Sequence, residues 1–151
     1  MSPSDSRPTG SCSVQGSDTG YSALAMSCAA APASLPAVRL QVDLLRPSLG
    51  ALTTDDVLLV ASELATNAVR HAATSFTIQL RLTPSGVLVL IQDGSLRLPE
   101  IPPENDLLRA GGRGLLLVWH LSSQYGYSTS TRLGQKVVWA LVPWNSADDP
   151  H

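Results

Sequence analysis

Several features that mark common functional classes are missing from this 151-residue sequence. Basic residues do not outnumber acidic ones, and the net charge of −2 leaves no basic surface of the kind that nucleic-acid binding requires. No apolar run reaches the ~18 residues of a membrane span. We therefore expect neither direct nucleic-acid binding nor a membrane segment.

The sequence also has few cysteines, and neither lies in a metal-binding or redox motif. Cys12 and Cys28 form no CxxC pair and have no histidine at zinc-ligand spacing. We therefore expect free thiols in a reducing compartment. Residues 21–31 resemble the apolar core of a signal peptide, but the segment before them is more acidic than basic, which is wrong for secretion. Both observations favour a cytoplasmic protein.

Common catalytic and nucleotide-binding motifs are missing as well. There is no GxxxxGK[ST] phosphate loop, no GxSxG of the hydrolases and no HExxH of the zinc proteases. The turn around Gly112 and Gly114 has Leu117 where a dinucleotide-binding GxGxxG motif requires its third glycine. A nucleotide site in this chain must therefore be of a different kind.

Composition indicates one folded domain. Hydrophobic residues make up 44% and charged residues 15% of the chain, and its length suffices for a single core. Residues 1–20 are almost free of apolar side chains and are predicted to be disordered. We assign residues 21–143 to the domain and residues 144–151 to a tail.

Hydrophobic periodicity predicts helices first and then paired strands. Helices are expected at residues 36–49, 53–73 and 115–121. Pro47 should kink or end the first helix near Arg46, and Thr53 and Asp56 resemble a capping box for the second. Strands are expected at residues 21–28, 76–82, 87–91, 125–131 and 136–142. This order predicts an α/β (α+β) two-layer sandwich, with a mixed, mostly antiparallel sheet and helices on one face.

The second predicted helix carries a column of polar side chains on an otherwise apolar background. Glu63 and Asn67 are one turn apart on the same helix face, and His71 follows a turn later, slightly rotated. Burying such groups without partners costs about 1–3 kcal/mol each. Either the column is satisfied within the protein, as mid-helix Glu and Asn usually are, or it lines a pocket and meets a ligand.

Two further features lie at the ends of predicted elements. Asp93-Gly94 follows a buried strand, and the turn from Gly111 to Gly114 opens a helix. Taken singly, the first is usually a turn and the second a simple connection. Together with the polar column they suit ATP. A glycine-rich helix start offers backbone N–H groups and a positive dipole to phosphate oxygens, and Arg113 adds a charged contact.

Each side chain in such a site has its own task. The amide of Asn67 is a suitable neutral ligand for Mg²⁺, which also binds substrate phosphates. The carboxylate of Glu63 is placed to orient or deprotonate a hydroxyl or water near the γ-phosphate. Asp93 could accept a hydrogen bond from the exocyclic amine of adenine. We therefore predict ATP and Mg²⁺ as ligands.

Three segments resemble the sequence boxes of the GHKL ATP-binding superfamily. Glu63-Leu-Ala-Thr-Asn67-Ala-Val-Arg-His71-Ala is similar to its N box. Asp93-Gly-Ser-Leu-Arg-Leu-Pro99 and Gly112-Arg-Gly-Leu-Leu-Leu-Val118 are similar to its two glycine boxes. The particular residues of these boxes resemble those of the bacterial anti-sigma factor serine kinases of the RsbW/SpoIIAB type. The final strand, Gly134-Gln-Lys-Val-Val-Trp139, is also similar to that group. The resemblance covers about residues 36–143.

This resemblance implies the Bergerat fold and binding of ATP with Mg²⁺. It implies Glu63 as the general base, Asn67 as the magnesium ligand and Asp93 as the adenine contact. It also implies further nucleotide contacts at Gly94, Gly112, Arg113, Gly114 and Leu115. For His71 a structural role at the helix end is as compatible with the pattern as a ligand contact.

The function implied is that of a serine/threonine-protein kinase in transcription regulation. Its partners would be a STAS-domain anti-anti-sigma protein, which receives the phosphate, and a sigma factor; the resemblance also suggests a homodimer. One departure keeps an alternative open. Ser95-Leu96-Arg97 stands where many relatives have a further glycine, so the first glycine box is shortened. The alternative is a non-catalytic ATP-binding module that sequesters a regulatory protein without phosphoryl transfer.

Overall fold

The computed structural model describes residues 12–14, 22–72, 74–96 and 113–148. The helical elements are α1 (Ser34–Asp43), α2 (Arg46–Leu49), α3 (Ala51–Asn67), a π-helical turn (Ala68–Ala72), α4 (Arg113–Leu121) and a 3-10 turn (Ser146–Asp148). The strands are β1 (Cys12–Val14), β2 (Ser22–Cys28), β3 (Phe76–Thr83), β4 (Gly86–Asp93), β5 (Gln124–Ser130) and β6 (Gln135–Pro143). None of the described helices combines the length and the apolar character that crossing a membrane demands.

The described strands form one sheet in the order β1-β2-β3-β4-β6-β5, and every neighbouring pair is antiparallel. The β3–β4 hairpin closes at the pair Thr83–Gly86. There the Thr83 hydroxyl accepts hydrogen bonds from the backbone N–H groups of Ser85 and Gly86. Both predicted hairpins, β3–β4 and β5–β6, are confirmed, because alternating apolar residues and turn chemistry determine them locally.

The hydrophobic core lies between the sheet and the helices. Alternate residues of β3 and β4 are buried on the helix-covered face: Phe76, Ile78, Leu80, Val87, Val89 and Ile91. On the other side of the core, α3 contributes Val57, Val60, Ala61, Leu64 and Ala65. Their three- and four-residue spacing is that of one helix face. The predicted two-layer α+β sandwich is confirmed, with an antiparallel sheet.

Pro47 divides the first predicted helix in two. α1 ends at Asp43 and α2 begins at Arg46, so the break falls just before the proline, as predicted. The Arg46 guanidinium spans the break, 2.6 Å from a carboxylate oxygen of Asp43 and 2.9 Å from one of Asp55 in α3. Two hydrogen bonds raise the pKa of Arg46, and the one to Asp43 has a larger effect than the one to Asp55.

The predicted capping box of α3 is wrong. The helix begins before Thr53, with Gly50 as its N-cap residue. The cap comes instead from the far end of the chain, where the carboxylate of Asp148 accepts a hydrogen bond from the Thr53 N–H. The Thr53 hydroxyl in turn accepts one from the Asn145 N–H at 2.9 Å. Residues 144–148, predicted to be a tail, are therefore docked onto the domain.

The prediction of free thiols is also wrong. Cys12 and Cys28 form a disulfide with their Cα atoms 4.1 Å apart, and they lie directly opposite each other where β1 pairs with β2. A strand therefore stands at residues 12–14, inside the segment predicted to be disordered. Composition could not reveal it, because β1 depends on its pairing with β2 and on the crosslink. The other residues of the segment 1–20 lie outside the described residues.

Candidate functional site

Glu63 and Asn67 lie on α3 between its buried face and its exposed face. They flank the buried stripe of the helix, one turn apart, and both side chains are half-buried. Neither makes a side-chain hydrogen bond or ion pair with another described residue. A half-buried carboxylate and amide without partners among the described residues are available to a ligand. This favours the pocket interpretation over an internal polar cluster.

His71 does not share this position. The segment after Asn67 is the π-helical turn Ala68–Ala72, which has more residues per turn than an α-helix. The side chain of His71 is exposed, whereas those of Glu63 and Asn67 are half-buried, so His71 does not share their setting. The predicted helix is α-helical only as far as Asn67, and no residue in this segment signals the change of helix type.

Asp93 is the last residue of β4, and only 5% of it is exposed. One of its carboxylate oxygens accepts a hydrogen bond from the backbone N–H of Ser95 at 2.9 Å. The next residue, Gly94, donates its N–H to the hydroxyl of Thr74 at 2.9 Å, which ties the end of β4 to the chain that follows α3. The carboxylate is therefore held in a fixed orientation, as an acceptor for a base amine requires.

Lys136 belongs to this region, although the sequence analysis did not assign it to the site. Its ammonium lies 3.6 Å from Oδ2 of Asp93, and the two side chains are 7% and 3% exposed. The residues face each other across the β4–β6 pair. Lys136 is the only lysine of the chain. One signal was available: Lys136 shares a strand face with the buried Ala140 and Val142, where a charge needs a partner.

The direction of α3 brings Asn67 to the end of the sheet where Asp93 lies. α3 begins beside Asp148, which follows the carboxyl end of β6. Its 17 residues span about 25 Å. The eight residues of β4 span about 26 Å, so the helix runs the length of the sheet. Its last residue, Asn67, therefore lies toward the Asp93 end, with Glu63 one turn behind.

α4 packs against α3 and β6. It ends at Leu121, close to the point where β5 begins opposite Leu141. Leu115, predicted to contact the nucleotide, has its side chain in the core at 7% exposure. A contact from Leu115 would therefore come from its backbone N–H, one of the four that a helix start leaves unpaired. The predicted contacts at residues 112–114 lie outside the described side chains.

A cavity of about 260 Å³ opens beside Asp93. It is lined by Ser27, Thr74, Ser75, Phe76, Thr77, Gln92, Asp93, Gly94 and Gln135. Neither Glu63 nor Asn67 lines this cavity, and a paired row of its residues lies on the helix-free face: Ser27, Thr77 and Gln92. The cavity therefore adjoins the predicted base contact but is not the nucleotide site predicted between the helices and the sheet.

Comparison with known proteins places this arrangement in a family. The search of curated proteins found no match. Among protein domain families, the histidine kinase-like ATPase domain matches residues 28–141, which is most of the chain. The matched range contains α3, Asp93, α4 and Lys136, and therefore every described residue of the candidate site. The chain thus belongs to the histidine kinase-like ATPase domain family, and this membership implies ATP binding.

Proposed function

We propose that the protein is a serine/threonine-protein kinase that transfers the γ-phosphate of ATP to a hydroxyl of a STAS-domain anti-anti-sigma protein. It also binds a sigma factor when the STAS protein does not prevent this binding. The observation that carries the proposal is Glu63, a carboxylate without a described protein partner, one turn before Asn67. It supplies a general base next to the proposed metal ligand. The family match supports the ATP-binding part.

Asn67 fits a magnesium ion that is bound chiefly through the nucleotide. Mg²⁺ keeps several waters and takes one or two protein oxygens together with substrate phosphates. Asn67 offers a half-buried amide oxygen at the end of α3. Within the described segments no three His, Cys, Asp or Glu side chains form a group that could hold a metal, and this mode of binding needs none. When bound, the ion would neutralise negative charge on the phosphates.

Three parts of the chain act on the substrates in this proposal. Asp93 accepts a hydrogen bond from the adenine amine and orients the base. The start of α4 donates backbone N–H groups to the phosphates, where the helix dipole favours negative charge. Glu63 accepts the proton of the attacking hydroxyl, which increases its nucleophilicity toward the γ-phosphate. Asp93 ends β4, and Glu63 and Asn67 lie near the end of α3, which supports a shared site for one nucleotide.

The shortened first glycine box supports a second candidate function, a non-catalytic ATP-binding module that sequesters a regulatory protein. Where relatives have a further glycine, the Ser95 N–H is bonded to Asp93 at 2.9 Å. This bond, and a side chain in place of the glycine, restrict the backbone at a point where a glycine would allow movement. Such a module would bind ATP and its partner but would not transfer phosphate.

Thermal melting with and without Mg-ATP tests nucleotide binding. A ligand at ~100 times its dissociation constant adds about 2.7 kcal/mol to the free energy of unfolding. We expect the parent Tm to rise by about 5–10 °C. Asn67→Ala should lose most of this rise. Gln79→Ala, on the helix-free face of β3, is the matched control and should keep it. A melt that neither Mg-ATP nor Mg-ADP changes would refute the site.

Phosphoryl transfer separates the two functions. The full chain is incubated with γ-labelled ATP and the STAS protein encoded nearest its gene. A kinase labels the STAS protein, and Glu63→Gln should reduce the rate by about 100-fold or more while ATP binding remains. Asp43→Asn makes the same chemical change on the exposed side of α1 and should transfer at the parent rate. Binding of both ATP and the partner without labelling would favour the non-catalytic module.

A further inference from the structure

We infer that Lys136 is a positioning residue that determines which purine the site accepts, because it keeps Asp93 a charged hydrogen-bond acceptor. The inference rests on the proposed nucleotide site and assigns it a base specificity. It concerns a side chain to which the proposed phosphoryl transfer gives no task. The structure supports it through the geometry of the pair, its burial and the chemistry of a carboxylate.

The pair is part of the backbone pairing of the sheet. Asp93 and Lys136 are direct partners in the β4–β6 register, and Phe76 is the partner of Asp93 on its other side. The Lys136 ammonium lies 3.6 Å from Oδ2, while Oδ1 accepts the Ser95 N–H at 2.9 Å. Each carboxylate oxygen can accept more than one hydrogen bond, so capacity remains for a ligand. Both oxygens are thus positioned from the protein side.

Burial shows that this pair has a role beyond packing. Asp93 and Lys136 are 5% and 6% exposed, on a sheet face whose other buried residues in β3, β4 and β6 are apolar. Removing two ions from water costs about as much as their attraction returns, and an apolar pair of similar volume often stabilises a fold equally well. Stability alone therefore does not account for this pair, whereas a role for Asp93 as a charged acceptor does. An ionised carboxylate accepts hydrogen bonds and cannot donate them.

This charge state selects among purines. An adenine amine donates to the carboxylate, whereas a purine with a carbonyl oxygen at the same position presents an acceptor to an acceptor. A buried polar group left without a partner discriminates strongly between two ligands. Without the ammonium, the Asp93 carboxylate would be a buried charge without its ion-pair partner, and a neutral group in its place could donate as well as accept. Loss of the Lys136 charge should therefore relax the choice between the two purines.

The test compares the dissociation constants of ATP and inosine triphosphate, which carries a carbonyl oxygen in place of the amine, on the full chain. We expect the parent to prefer ATP by about 100-fold or more. In Lys136→Met, which keeps the length of the side chain without its charge, this ratio should fall by about tenfold or more. Lys136→Arg keeps the charge and should preserve the ratio. A purely structural role of Lys136 would weaken both nucleotides equally.

Other outcomes overturn the inference. It fails if Lys136→Met binds ATP with an unchanged ratio, or if Lys136→Arg lowers the ratio as much as Met does. If Lys136→Met does not fold, the double variant Asp93→Asn with Lys136→Met tests the inference. Its neutral amide both donates and accepts hydrogen bonds, so its preference for ATP over inosine triphosphate should be lowered in the same way. A parent-like ratio in the double variant, or its failure to fold as well, refutes the inference. A parent that does not bind ATP refutes the nucleotide site itself.

Discussion

The carboxylate of Asp148 accepts a hydrogen bond from the backbone N–H of Thr53, so the end of the described chain caps the start of α3. The start of a helix carries unpaired N–H groups and the positive end of the dipole, and a carboxylate satisfies both. The bond joins residues 95 positions apart. The same helix carries Glu63 and Asn67 toward its other end. This cap therefore stabilises the helix on which the candidate site is built.

Asp148→Ala should lower the free energy of unfolding by about 1 kcal/mol, because the cap of α3 is lost. The corresponding fall in Tm is about 2–4 °C for a domain of this size. Urea denaturation measures the change, and its slope should stay that of the parent. Asp148→Asn is the matched control, since asparagine caps about as well as aspartate. Equal losses in the two variants would contradict the capping role.

Gly50→Ala should be more costly than the same change at Gly134. Both glycines have a positive φ, +86° and +61°, so alanine is strained at either position. At Gly50 a Cβ would also lie 2.6 Å from the Cβ of Asp148, whereas at Gly134 no atom lies within 4 Å. We expect a loss of about 1 kcal/mol at Gly134 and about 2 kcal/mol or more at Gly50. Equal losses in urea denaturation would show that the contact with Asp148 is unimportant.

The parts of the fold that could be predicted from the sequence are those fixed by neighbouring residues. The long helix and both hairpins follow from local periodicity and turn residues, and Pro47 marks the break between α1 and α2. The features that sequence reasoning missed depend on distant partners. β1 requires Cys28, and the start of α3 requires Asp148. Single-sequence patterns carry no information about such pairs.

In the candidate site, too, some residues could be predicted from neighbouring residues and others depend on distant partners. Glu63, Asn67 and Asp93 could be named because their spacing and chemistry stand out and resemble known sequence boxes. Lys136 was missed, because a lysine near the start of a strand usually lies at an exposed position and its strand face alone does not identify its partner. His71 follows at a similar spacing, but its side chain is exposed. Whether a position at the end of a helix is buried depends on packing against the sheet, which the residues alone do not specify.

Asp56→Asn should stabilise the protein in a pH-dependent way. Burial raises the pKa of Asp56 above its ordinary value of 3.8, and the negative charges of Asp55 and Asp148 raise it further. Between the ordinary and the raised value the folded state holds more protons than the unfolded state, so stability falls as pH rises through this window. At pH 7 we expect a gain of at most about 0.5 kcal/mol, because Asp56 is only half-buried and solvent screens its interactions. In urea denaturation the gain should disappear below pH 3.8; a gain that is independent of pH would contradict this explanation.

Reduction of the Cys12–Cys28 disulfide should lower the free energy of unfolding by about 3 kcal/mol, since the crosslink spans a sequence separation of 16 residues and restricts the unfolded chain. Urea denaturation of the full chain with and without a phosphine reductant measures the difference. Cys12→Ser is the control, because it removes the crosslink but leaves the Cys28 side chain in the core at 2% exposure. This variant should match the reduced parent and should not respond to the reductant.

Cys28→Ser should be less stable still, because it places a hydroxyl in that apolar position. If the reductant leaves the parent unchanged, or changes Cys12→Ser equally, the crosslink does not stabilise the attachment of β1 to β2.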